Sequence, residues 1–257
     1  MSLNFNFTKK NFFKNKVVLI TGGNGQLGFD ICKFYKDLDC KVYSLDNSHS
    51  NKINRLKNIN KFTLDVTNKK ECQRIINLIN KKEKKIDILI NNAGTSIFSH
   101  YSKRTEEELD YVYSVNLKGI INMILEVSKN HKKKNHLKIL NIGSIYGVRV
   151  PNFKIYKKDD RLNSEIYGAT KAGVIQVTKY FAKTLANMNI LCNCVSPGGI
   201  KSNKTQKKSF QKRYIENLQI KRMATTDDII FGLFYLSHPM NTYITGQNLI
   251  IDGGYSL

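Results

Sequence analysis

No apolar run in this 257-residue chain approaches the roughly 20 residues that a membrane-spanning helix needs. Residues 1–16 alternate Phe with Asn and Lys, which is not the apolar core of a secretory leader. The chain is therefore expected to stay in the cytoplasm, with no membrane partner. Cysteine is sparse and badly spaced for chemistry. Cys32, Cys40, Cys72, Cys192 and Cys194 make an odd set with no C-x-x-C pair, which argues against a disulfide framework and against a zinc site. Cys192 and Cys194 fall on the apolar run 190–195 and read as small buried side chains. His49, His100, His131, His136 and His238 show no ligand spacing, so no metal is expected.

Acidic residues are scarce as well, 20 against 42 Lys and Arg, leaving a net charge of +22. A clustered basic face is the footprint of nucleic-acid binding. Here the lysines fall in short separate groups at 81–85, 132–134, 157–158 and 207–208, with few aromatics among them. Abundant Asn and Ile accompany them, as in a compositional bias. The surface is expected to be solvated, with no nucleic-acid partner, although some lysines could serve a phosphorylated substrate. The chain also lacks an interdomain linker, a repeat or a low-complexity block. It reads as one domain, 1–257, behind a short N-terminal extension at 1–15.

What is present alternates regularly. Strand-like runs fall at 17–20, 41–45, 61–64, 86–91, 137–142, 190–195 and 248–251. Helical patterns lie near 26–36, 69–81, 105–130, 164–187 and 226–237. Strands separated by helices predict an α/β fold, a single Rossmann-like domain with a doubly wound parallel sheet of about seven strands. Ligands of such sheets bind at the carboxyl ends of the strands. Gly22, Asp46, Asp65, Asn92, Ser144 and Pro197 all stand at such ends.

The first strand runs into Thr21-Gly-Gly-Asn-Gly-Gln-Leu-Gly28, in which Gly23, Gly25 and Gly28 have G-x-G-x-x-G spacing before a helix. Small residues there let the backbone approach a pyrophosphate resting on the helix N-terminus. Asp46 follows roughly 20 residues later, where a carboxylate would bond an adenosine ribose hydroxyl. Downstream, Tyr167 and Lys171 are four residues apart in Glu165-Ile-Tyr-Gly-Ala-Thr-Lys171. On a helix they share a face, and a nearby ammonium favours the phenolate. Ser144 could then hydrogen-bond a substrate oxygen as charge develops on it.

With Asp65-Val66, Asn91-Asn92-Ala93-Gly94, Asn116, Ser196-Pro197-Gly198 and Asp252-Gly253-Gly254 in order, the chain resembles the short-chain dehydrogenase/reductase family from about residue 16 to 255. It departs from the compact division at Gln26, where that division usually has glycine. The resemblance implies catalysis by Asn116, Ser144, Tyr167 and Lys171, with Asn116 holding a relay water. It implies a nicotinamide cofactor held by Gly22, Asn24, Gly25, Gln26, Leu27, Gly28, Asp46, Asp65, Val66, Asn92, Ala93, Gly94, Tyr167, Lys171, Pro197, Gly198, Ile200 and Ser202. Asp46, with no basic residue at 23, 24 or 47, favours NAD over NADP; Lys52 and Arg55 are the nearby cations. A homo-tetramer or homo-dimer through the helices near 105–130 and 164–187 is also implied; Val174, Val177, Phe181 and Leu185 recur there at helical spacing, some of them to face the sheet.

The chain's individual feature is the 22-residue segment 145–166 between Ser144 and Tyr167. Long loops in compact domains are commonly functional. Arg149, Phe153, Tyr156 and Arg161 offer stacking and anion contacts there, and 200–222 reads as a lid. The expected reaction interconverts a secondary alcohol and a ketone on a sugar or nucleotide-activated sugar. The wording of the loop resembles a subgroup linked to bacterial surface sugars, including nonulosonic acids. The alternatives are a 3-oxoacyl-carrier-protein reductase and a non-catalytic cofactor-binding regulator.

Overall fold

The computed structural model describes residues 12–157 and 160–257. Most of the 1–15 extension, and Lys158 of the long loop, lie outside the described residues. The strands are β1 Val17–Thr21, β2 Lys41–Asp46, β3 Ile59–Thr63, β4 Ile88–Asn91, β5 Leu137–Ile142, β6 Ile190–Pro197 and β7 Asn248–Ile251. All pairs are parallel, in the order β3-β2-β1-β4-β5-β6-β7. Chain direction across the sheet reverses between β1 and β4, which opens a crevice above their carboxyl ends.

Alternation within the strands decides which helix covers which face. Val17 and Leu19 join Leu89, Ile139 and Cys192 under α3 Lys69–Glu83, α5 Gly119–Lys129 and α6 Glu165–Leu185. Val18 and Ile20 join Ile88, Leu140 and Val195 under α1 Gln26–Asp37 and α8 Thr226–Ser237. All five cysteines are buried and free, two of them in these strand rows, consistent with an apolar packing role. The remaining helices are α2 Asn51–Asn54, α4 Glu106–Tyr113 and α7 Lys208–Glu216.

Three differences from the sequence expectation bear on the site. The helix expected over 105–130 runs without a gap but carries a π turn in its middle. α4 ends at Tyr113, Ser114–Lys118 forms a π turn, and α5 resumes at Gly119. Such turns free backbone groups and recur at functional sites. The 200–222 segment contains α7, whose Phe210 and Tyr214 pack with Ile145, Ile155, Leu218, Met223 and Tyr255 into a small separate cluster. That cluster fixes the long loop, α7 and the C-terminal residues to one another. Finally, Val174 and Phe181 are buried in the main core, and Val177 and Leu185 pack against it. The outward face of α6 instead shows Tyr180, 63% exposed. The four positions named from helical spacing serve the fold, because the apolar stripe of a helix faces its sheet first.

Candidate active site

The glycine turn is shaped by close approach. Gly22 sits at φ +66°, a left-handed conformation suited to glycine. A Cβ on Gly28 would lie 2.0 Å from the Gly22 carbonyl oxygen, so helix α1 can approach β1 only with glycine there. Asn92 holds the turn from the other side, its Nδ2 donating to Thr21 O (3.0 Å) and Gly22 O (2.9 Å). The Thr21 hydroxyl accepts from the Asn92 and Ala93 N–H groups, both at 3.0 Å. Helix α1 starts behind Gly25 with no side-chain cap. Its first N–H groups are therefore left for an anion, whereas α4 and α8 close theirs with Thr105–Glu108 and Thr225–Asp228 capping boxes.

Asp46 stands at the end of β2. Its carboxylate accepts from Asn24 N at 2.8 Å and Ser48 N at 3.3 Å, so it faces the glycine turn. The Asn24 side chain in turn accepts from Ser50 N at 3.0 Å. Asp65 spends one carboxylate oxygen on Thr67, accepting from its N–H and hydroxyl, both at 2.8 Å. It nevertheless lines a 440 Å³ cavity with Asn47, Glu107, Asp110 and Tyr111. Val66 is buried against Gly119, and its carbonyl accepts from Asn122 at 3.0 Å, so its side chain belongs to the core. A dinucleotide fits this donor set: a tight turn, an uncapped helix start and a carboxylate at the β2 end.

Ser144, Tyr167 and Lys171 share a second, larger cavity of about 1030 Å³ with Leu27, Asn92, Gly94, Pro197, Gly198 and Ile200. Ser144 follows β5 and caps the turn Ile145–Gly147, accepting from Tyr146 N at 3.1 Å. Tyr167 lies in the first turn of α6, where the Ser164 hydroxyl caps its N–H at 3.2 Å. Asn116 is fully buried in the π turn. Its amide pairs with the Thr95 backbone in both directions, Nδ2 to O at 2.9 Å and Thr95 N to Oδ1 at 2.7 Å, and reaches Thr170 Oγ1 at 3.3 Å. It fastens the β4 loop to α6 beneath the reacting groups.

The electrostatics correct one expectation. Burial holds the Tyr167 phenol above its ordinary value, while the Ser144 hydroxyl pulls it down. Lys171 is not what sets it. The ammonium lies 5.7 Å from the Tyr167 ring centre and donates to Ile142 O at 2.7 Å. Its own pKa is lowered to about 8 by burial. A desolvated ammonium committed to a strand carbonyl acts weakly on a phenol one helical turn away.

The long loop also divides differently from its sequence reading. Tyr156 and Arg161 line the large cavity. Arg161 stacks on Phe98 with its guanidinium 4.0 Å from the ring centre. Arg149 instead donates to Tyr255 O at 2.8 Å and lies over that ring, and Phe153 is 63% exposed; neither lines the cavity. Arg149 is taken by the C-terminal residues, a long-range contact that sequence spacing cannot reveal. Arg213 of α7 pins the loop by bonding Ile155 O at 2.7 Å and the Asp160 carboxylate. Ser202 also lies off the cavity wall, its N–H donating to Gln206 Oε1 at 2.9 Å. Sequence reasoning missed Thr95, Tyr146, Ser164 and Gln206. Only Ser164, a serine three residues before Tyr167, carried a readable cap signal.

A family model described as "Enoyl-(Acyl carrier protein) reductase" matches residues 26–256. The chain belongs to the short-chain dehydrogenase/reductase family. It is accordingly an NAD(P)-dependent oxidoreductase. Among solved structures, a short-chain dehydrogenase from Leptospira borgpetersenii serovar Hardjo-bovis with bound NAD+ is 38% identical, with TM-score 0.90, covering 100% of this chain and 98% of that one. A curated relative, the 3-oxoacyl-[acyl-carrier-protein] reductase of Thermotoga maritima, is 30% identical over 94% of this chain and 98% of its own length. The post-translational flagellin modification protein A of Campylobacter coli is 29% identical over 95% and 99%.

Proposed function

We propose that this short-chain dehydrogenase/reductase interconverts a secondary alcohol and a ketone on a sugar or nucleotide-activated sugar, preferring NAD to NADP. The observation that carries the substrate reading is the polar part of the large cavity's lining. There Arg161 on Phe98 stands among Ser96, Asn163, Asn203, Thr205 and Lys204. Stacking surface, hydroxyl and amide partners and unspent cations suit a polar, anionic substrate; an acyl chain would ask for an apolar channel. The cofactor preference is supported by Asp46, whose carboxylate would meet a 2′-phosphate with like charge. The acids of the adjoining cavity, Asp65, Glu107 and Asp110, add to that repulsion.

In oxidation, Tyr167 as phenolate removes the hydroxyl proton while Ser144 donates a hydrogen bond to the same oxygen. A nicotinamide held in this cavity would supply the acceptor for the hydride that leaves the alcohol carbon. Lys171 would hold the cofactor ribose, and Asn116, in the π turn, the water that passes the proton to solvent. Gly22 to Gly28, with Asp46, would hold the pyrophosphate and adenosine. A homo-oligomer is supported by exposed aromatics on two faces, Tyr111, Tyr113 and Tyr180 on α4 and α6, and Phe231 and Tyr235 on α8.

The second reading, reduction of 3-oxoacyl thioesters, is favoured by the activity for which the Thermotoga relative is named. One panel separates the two. Nucleotide-activated sugars, free sugars and 3-oxoacyl thioesters are assayed with NAD or NADP and their reduced forms. The sugar reading expects turnover of activated sugars with NAD. Turnover confined to thioesters, or to NADP, would replace it.

A further inference from the structure

We propose that Gln26 is a positioning residue for the dinucleotide, strapping the glycine turn to the segment after β6 and slowing cofactor release. This rests on the cofactor reading above. Gln26 occupies the position where the compact division usually has glycine, so the turn carries a long side chain there. It is exposed, yet it is not loose. Its Nε2 donates to Lys201 O at 2.8 Å, joining residues 175 positions apart.

The acceptor is held firmly. Lys201 N donates to Ala224 O at 2.8 Å, beside a parallel bridge between Ile200 and Ala224. Gln206 then closes the segment from the other side, donating to Ile200 O at 2.9 Å and accepting from Ser202 N at 2.9 Å. A carbonyl fixed this way loses little freedom when it accepts a bond. On the opposite flank Asn24 ties the same turn to Asp46 and Ser50. The glycine turn is therefore fastened at both ends, by Asn24 toward the adenosine side and by Gln26 toward Ile200 and the reacting groups. Gln26 is the first residue of α1, whose uncapped N–H groups face the expected pyrophosphate. The bond from there to Lys201 ties the start of α1 to the segment whose Ile200 lines the large cavity.

The test is NADH release from the full-length protein, followed by stopped-flow fluorescence, in wild type, Gln26→Met and Gln26→Glu. Methionine keeps the length and helix propensity of glutamine but has no N–H, and glutamate keeps its shape without the donor. Loss of one exposed hydrogen bond should speed release by about three- to tenfold in both variants. The association rate of the methionine variant and the thermal midpoints should stay at their wild-type values. Unchanged release in either variant overturns the strap. So does faster release accompanied by a lowered thermal midpoint, because the residue would then be structural. Failure of the wild-type protein to bind NADH at all would instead defeat the cofactor reading.

Discussion

Lys171→Met separates what the buried ammonium costs the fold from what it contributes to the site. Lys171 is 4% exposed, and its pKa falls from 10.5 to about 8. The folded value lies below the unfolded one, so folding expels a proton between about pH 8 and 10.5, and below about pH 8 the ammonium is buried charged. The cost is therefore fully present below about pH 8 and fades as pH rises toward the unfolded value, so wild-type stability climbs across that window. At about 1.36 kcal/mol per tenfold, a fall from 10.5 to about 8 amounts to a penalty of about 3 kcal/mol near pH 7, dropping below about 1 kcal/mol near pH 10. Methionine cannot titrate. It also abandons the Ile142 carbonyl, but that loss bears on both pH values alike. Urea unfolding of both proteins at the two pH values, without cofactor, measures the difference. The variant's standing relative to wild type should worsen by about 2–3 kcal/mol from near pH 7 to near pH 10. A difference that does not move with pH refutes the reasoning, because the ammonium would then carry no burial cost.

Gly28→Ala should lower stability by about 1–3 kcal/mol and weaken cofactor binding, since its Cβ would meet backbone, which cannot swing aside as a side chain could; thermal unfolding and NADH titration check both. The two reaction directions should respond oppositely to pH. Alcohol oxidation needs the Tyr167 phenolate, and the phenol's pKa is raised, so kcat/KM for oxidation should keep rising through the alkaline range. The same quantity for ketone reduction, which needs the protonated phenol, should fall; parallel profiles in both directions would contradict the assignment.

The sheet was legible because its strands are short apolar runs bounded by turn residues. The site was legible for a related reason. In a parallel sheet the residues just past strand ends converge, so Ser144, Asn92, Asp46 and Pro197 could be grouped before any coordinates. What escaped was set by contacts distant in sequence. Thr95 captures Asn116 and accompanies a π turn where the sequence continues as a helix. Arg149 has the same local appearance as Arg161, but Tyr255 claims it. α7 buries only Phe210, Gln211 and Tyr214 against a satellite cluster, too narrow a stripe to announce a helix among lysines. The raised phenol was missed because i, i+4 spacing reports proximity along a helix and says nothing of the burial that raises it.

The central claim is that Tyr167 moves the proton while the cofactor is bound through other groups. Its most direct test compares wild type and Tyr167→Phe for cofactor reduction by the best substrate, with NADH affinity titrated on the same preparations. Removing one hydroxyl keeps the ring's packing, so turnover should fall by about 100-fold or more while the NADH dissociation constant stays at its wild-type value. Turnover in Tyr167→Phe close to wild type, with affinity intact, would contradict the account.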